Sequence, residues 1–143
     1  MSRTVPSPKT REFARRLLIH EAAEPSSFRE NAPAAFRVAE KLRHSLTTFA
    51  GAAGFHSLLA RALALAKVHS HSLGTVYVKP DGSLEGLDEL HANEAAEAGA
   101  MLIAQLIGLL FTFIGEQLTV HLVRDAWPDL PVNEISPEQN QHE

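Results

Sequence analysis

An uncharged run in the C-terminal third limits most severely what this chain can become. From Ala98 to Gly115, eighteen consecutive residues carry no charge, and only Gln105 and Thr112 among them have polar side chains. A helix that is apolar all round needs cover all round, from other helices or from lipid. The run falls slightly short of the roughly 20 apolar residues that span a bilayer. Glu94 and Glu97 precede it and Glu116 follows, with no Lys/Arg cluster to mark a cytoplasmic end. The central helix of a soluble bundle is therefore expected, and a membrane partner is not.

The rest of the chain supplies the cover. Ser7 and Pro8 have the residue types of an N-cap and first helical position. Phe13, Ala14, Leu17, Leu18 and Ala22 then share one side of a helix, which Pro25 stops. A second helix is expected from Asn31 and Pro33, with Phe36, Ala39, Leu42, Leu46, Phe49 and Ala53 at helical spacing. Gly51 and Gly54 bracket an expected bend, beyond which Leu58, Leu59, Ala62, Leu63 and Ala66 resume the period. Val76-Tyr77-Val78 followed by Pro80-Asp81-Gly82 predicts a short hairpin. The last long helix is expected to run from about residue 87–93 to Trp127, kinked at Gly108 or Gly115. The fold class predicted is mainly α: a bundle of about four helices with a small β-hairpin before the last. Residues 8–129 form the expected single domain, with flexible tails over 1–7 and 130–143.

Within the uncharged run, Ala100, Ala104, Gly108 and Thr112 continue a row of small residues begun by Ala96. Such a row lets another helix approach closely. One chain of 143 residues can cover this helix, but a second copy covers it more easily, so a homodimer is expected with those four residues at its interface.

Charge is divided unevenly. Residues 1–43 carry nine Lys/Arg against five Asp/Glu, whereas residues 44–143 carry four against twelve. Opposite charge in the two parts can hold layers of one molecule together, or two copies head to tail. It offers no strongly basic face for a phosphate backbone. The lack of cysteine excludes a disulfide framework, thiolate metal sites and thiol nucleophiles. With a polar, proline-containing N-terminus in place of a secretory signal, the cytoplasm is the expected location.

Candidate chemistry is sparse. Of eight histidines, His91 lies near Asp88 and Glu94, His44 lies four residues from Glu40, and His69 and His71 sit at a helix end. None has a matching Glu/His pair on a second helix, so no metal or other cofactor is expected. Gln105, Glu116 and His121 form the candidate buried polar site, with an ion pair more expected there than catalysis. A pocket lined by all three would favour a ligand-binding or enzymatic bundle; a continuous helix seam would favour a scaffold. No phosphate loop, nucleophile elbow or zinc-protease motif occurs, and the reading leans away from an enzyme.

Phe49-Ala50-Gly51-Ala52-Ala53-Gly54-Phe55, with Ser57 and Arg61-Ala62-Leu63 after it, is similar to a bacterial helix-turn-helix. That resemblance implies a DNA-binding regulator acting through 49–63. In such families the second helix presents polar side chains to base edges. Here His56 to Leu63 is mostly apolar, which ranks nucleic acid last among the partners. The first expectation is a non-catalytic, self-associating module, regulatory or scaffolding, that binds another protein.

Overall fold

A computed structural model describes residues 7–23, 34–80, 82, 84–86 and 92–128. The chain is mainly α, as its patterning predicts. Helix α1 is Pro8–Ala23, α2 is Ala34–His69, and a 3₁₀ turn follows at His71–Thr75. Strands β1 (Tyr77–Val78) and β2 (Leu84–Glu85) pair antiparallel in the register Tyr77↔Glu85 and Val78↔Leu84. Helices α3 (Ala92–Ile114) and α4 (Glu116–Ala126) complete the bundle. The expected tails lie outside the described residues, apart from Ser7.

Ser7 is the cap its residue type predicts. Its Oγ accepts the backbone N–H of Thr10 at 3.2 Å, and its carbonyl accepts that of Arg11 at 3.0 Å. Phe13, Ala14 and Leu17 then carry α1 into the core. On α2, Ala39, Leu42 and Leu46 are buried before the bend and Phe55, Leu59, Ala62, Leu63 and Ala66 after it. Ala53, expected on the buried face, is exposed. The reason is Gly51 (φ 85°, ψ 161°), which rotates the second half of α2 relative to the first. The bend is at Gly51 and leaves Gly54 helical.

Helix α3 packs most extensively on α2 and then on α1. Leu102, Ile103, Leu106, Ile107 and Leu110 are fully buried, so the uncharged run does form the central helix. The hairpin closes one side, with Leu73, Val76 and Leu84 buried beneath it. A two-stranded ribbon this short gains its stability from that packing rather than from its own ladder.

The last helix is broken at Gly115, not at Gly108. Gly115 (φ 90°, ψ 158°) occupies a region that residues with a Cβ avoid. Hydrogen bonding continues through the corner: Gly115 donates to the Phe111 carbonyl, and its own carbonyl accepts the Thr119 N–H and hydroxyl. A Cβ on Gly115 would meet nothing within 4 Å, so backbone strain is the whole penalty. Gly115→Ala is expected to lower stability by about 1–2 kcal/mol in urea denaturation. An unchanged midpoint would show that the corner relaxes without strain.

Candidate functional site

Among the described residues, the central helix is not fully covered. Half of the eighteen positions from Glu97 to Ile114 are buried, and this window is long and apolar enough to cross a membrane by length and composition. The cover fails at one end. Leu102 to Ile107 is buried throughout, whereas Thr112 and Phe113 are exposed and Leu109, Phe111 and Ile114 are half-buried. Phe113 is 61% exposed, a large cost for a ring that burial would stabilise by roughly 2–3 kcal/mol. Phe111, on the neighbouring side, stacks on Phe13 of α1 with centroids 5.9 Å apart. Helix α1 thus covers one flank of this end and leaves the other open.

The row of small residues divides between those environments. Ala104 is 1% exposed, sealed within its own chain and out of reach of a second copy. Ala100 and Gly108 are half-buried, and Thr112 is exposed. A Cβ on Gly108 would lie 3.9 Å from Thr10 Cγ2, an ordinary contact, so the helix beside Gly108 is the chain's own α1. The close approach occurs at Gly99, which belongs to no row. A Cβ there would fall 2.5 Å from the Cβ of Ala35 on α2.

Gln105, Glu116 and His121 do not converge. Gln105 is 5% exposed on α3, with Nε2 3.9 Å from the Met101 sulfur. Glu116 is half-buried, and the His121 side chain is 64% exposed, 4.0 Å from Asp125 on the next turn. Glu116 and His121 do line one concavity of about 590 Å³ with Ile114, Gly115, Gln117 and Leu118. All six residues come from one eight-residue stretch around the corner. The concavity has a floor and no opposing wall among its lining residues, and Gln105 takes no part in it.

The buried ionic centre is elsewhere, on a residue that sequence reasoning passed over. Glu21 of α1 has a side chain only 4% exposed. Its Oε2 accepts Arg37 Nε at 3.0 Å, while its Oε1 accepts both Lys41 Nζ and the Trp127 indole N–H at 2.9 Å. Arg37 also donates to the Glu21 carbonyl at 2.9 Å. Lys41 Nζ lies 5.6 Å from the Trp127 ring centroid, at the edge of cation–π range. Burial pushes the Glu21 carboxyl upward, but the bonds from Trp127, Lys41 and Arg37 outweigh it and hold it below the usual carboxylate value. A low-pKa carboxylate with three of its roughly four acceptor sites occupied is a poor general base. This centre ties α1, α2 and the end of α4 together. The missed signal is spacing: Glu21 lies four residues beyond Leu17 on the buried stripe.

No group of three or more metal-ligating side chains occurs among the described residues. Glu40 pairs with Arg43 at 2.7 Å, His44, His69 and His71 are exposed, and the Asp88–His91 segment lies outside the described residues. Segment 49–63 spans a kink in α2, where the single non-helical residue Gly51 joins two helical halves in place of the three- or four-residue turn of a helix-turn-helix. The leucines of 56–63 face inward as expected, leaving Ser57 and Arg61 exposed. The sequence matches no family model, no curated protein and no solved structure.

Proposed function

We propose that this chain is a non-catalytic, self-associating helical module, a regulatory or scaffold protein of the cytoplasm that also binds another protein. The observation that carries the reading is the open apolar end of α3, where Phe113 stands exposed beside half-buried Leu109 and Ile114. Exposed apolar surface of this kind marks association sites when it is contiguous. The concavity at the α3–α4 corner supports a ligand-binding alternative less well, since it lacks Gln105 and an opposing wall.

The test is the oligomeric state of the wild type and of Phe113→Ser, by sedimentation velocity up to about 500 µM, a range that captures weak interfaces. The wild type is expected to dimerise, and Phe113→Ser to shift strongly towards monomer. Measured dilute enough that both proteins are monomeric, its melting temperature should match the wild type's, because exposed positions usually alter stability by about 0.5 kcal/mol or less. A wild type that stays monomeric throughout overturns the proposal.

A further inference from the structure

A single residue joins α4 to α3. Gly115 turns the chain with φ 90° and ψ 158°, and the segments on both sides of it are helical. No proline stands between Ala92 and Ala126, so Gly115 alone interrupts a helix that would run roughly 50 Å if straight. In that straight helix the N–H groups of Gln117 and Leu118 would bond to the Phe113 and Ile114 carbonyls, bonds that the corner breaks. The seat of α4 is built by the other helices. It packs on α2 and α3 with Thr119, Leu122 and Val123 buried. Trp127, which follows it, is 2% exposed and donates its indole N–H to Glu21 of α1 at 2.9 Å. Such a seat recognises α4 by shape and by one charge-assisted hydrogen bond, whichever chain the helix comes from.

We propose that two copies of this chain exchange α4. Gly115 opens to helical geometry, α3 and α4 become one helix, and each α4 takes the seat on its partner. Exchange of an identical element needs no new complementarity, since the contacts of the closed form are remade between chains. A one-residue hinge favours it, because the straight form gains backbone bonds that so short a corner denies the closed one. Glycine sets the balance between the two forms. It tolerates the closed dihedrals, which a residue with a Cβ avoids, and it weakens the straight helix relative to alanine. The native chain is therefore closed when dilute and exchanged when concentrated. This deepens the self-association proposed above but stands on α4 alone, because association through the Phe113 end leaves every α4 on its own chain.

Gly115→Ala strains the closed form and strengthens the straight helix, and a dimer counts both effects twice. Its dimer dissociation constant is expected to fall at least about a hundredfold below that of the wild type in sedimentation velocity. At concentrations too low for exchange it shows only the loss of stability given above. Which seat α4 occupies is read by fluorine NMR, since Trp127 is the only tryptophan and takes a ring-fluorinated analogue as a single label. Fluorinated chains with and without Glu21→Gln supply two reference positions, because the indole N–H meets an amide in one and a carboxylate in the other. A fluorinated chain with Glu21 intact is then warmed at about 500 µM with an excess of the unlabelled Glu21→Gln chain. Exchange moves part of its resonance to the Glu21→Gln position, because Trp127 then sits on the other chain. Both hinges should show this, the alanine hinge more completely. Dimers whose resonance never moves overturn exchange and leave self-association standing. A shift confined to the alanine hinge overturns exchange by the native chain. A Gly115→Ala chain no more dimeric than the wild type overturns Gly115 as the hinge, and a wild type monomeric throughout overturns both proposals.

Discussion

Replacing Glu21 with alanine is expected to destabilise the fold by about 3–4 kcal/mol, the largest loss from any single polar side chain described here. The carboxylate is nearly sealed, and three donors on two other parts of the chain converge on it. Removing it takes the buried carboxylate away from Arg37, whose side chain is 15% exposed and which keeps only weaker, uncharged compensation such as its bond to the residue-21 carbonyl. Lys41 is 40% exposed, and solvent screening reduces its share. Glu21→Gln should cost less, since an amide oxygen can still accept the Trp127 indole N–H. Trp127 is the only tryptophan and is 2% exposed, so its fluorescence reports directly on this centre. A red-shifted native emission in Glu21→Ala is expected along with the lower urea midpoint. Native emission and a midpoint within about 0.5 kcal/mol of wild type would show that the centre contributes little.

The same centre sets a pH dependence whose sign follows from the depressed pKa. A carboxyl held lower in the folded than in the unfolded chain contributes stability that is fully present above its ordinary value of 4.5. That contribution is lost as pH falls through the folded value. The stability difference between wild type and Glu21→Gln should therefore be constant near neutrality and shrink below pH 4.5. A difference unchanged from neutral pH down to about pH 3 would contradict the assignment.

The second large effect is expected at Gly99. A leucine there must force α3 away from α2, because even a Cβ would lie 2.5 Å from the Ala35 Cβ. Overpacking of this kind typically costs about 1–3 kcal/mol, and with three further carbons a loss of about 3 kcal/mol or more is expected. Gly108→Ala is the internal comparison. Its new methyl would find only Thr10 Cγ2, at 3.9 Å, while the helix gains up to about 1 kcal/mol of propensity. Urea denaturation should show Gly99→Leu strongly destabilised and Gly108→Ala neutral or slightly stabilised. The reverse order would mean that Gly108 is the close-packed position.

Much of the architecture was legible in the residues. Periodicity in Phe13 to Leu17 and in Leu42 to Leu46 located the buried faces of α1 and α2. Ser7 declared a cap, and Pro80 to Gly82 announced a hairpin turn. The uncharged run between Glu97 and Glu116 required a central helix, because no other place in a helical bundle tolerates eighteen uncharged positions. These features are local: each depends on spacing or on the conformational habits of one residue type, which any chain segment carries with it.

What the sequence could not determine is which of several equivalent local features meets which. Gly51 and Gly54, or Gly108 and Gly115, are interchangeable as helix breakers, and packing on both sides selected Gly51 and Gly115. Gly99 attracted no notice beside the row from Ala100 to Thr112, yet it is where α3 leaves no room for a side chain against α2, since that depends on where Ala35 of another helix falls. Glu21 read as one charge among many until Arg37, Lys41 and a tryptophan 106 residues away closed on it. Local spacing set each helix and its buried side. The distances between helices, and with them the ionic centre and the uncovered end at Phe113, were settled only when the whole chain packed.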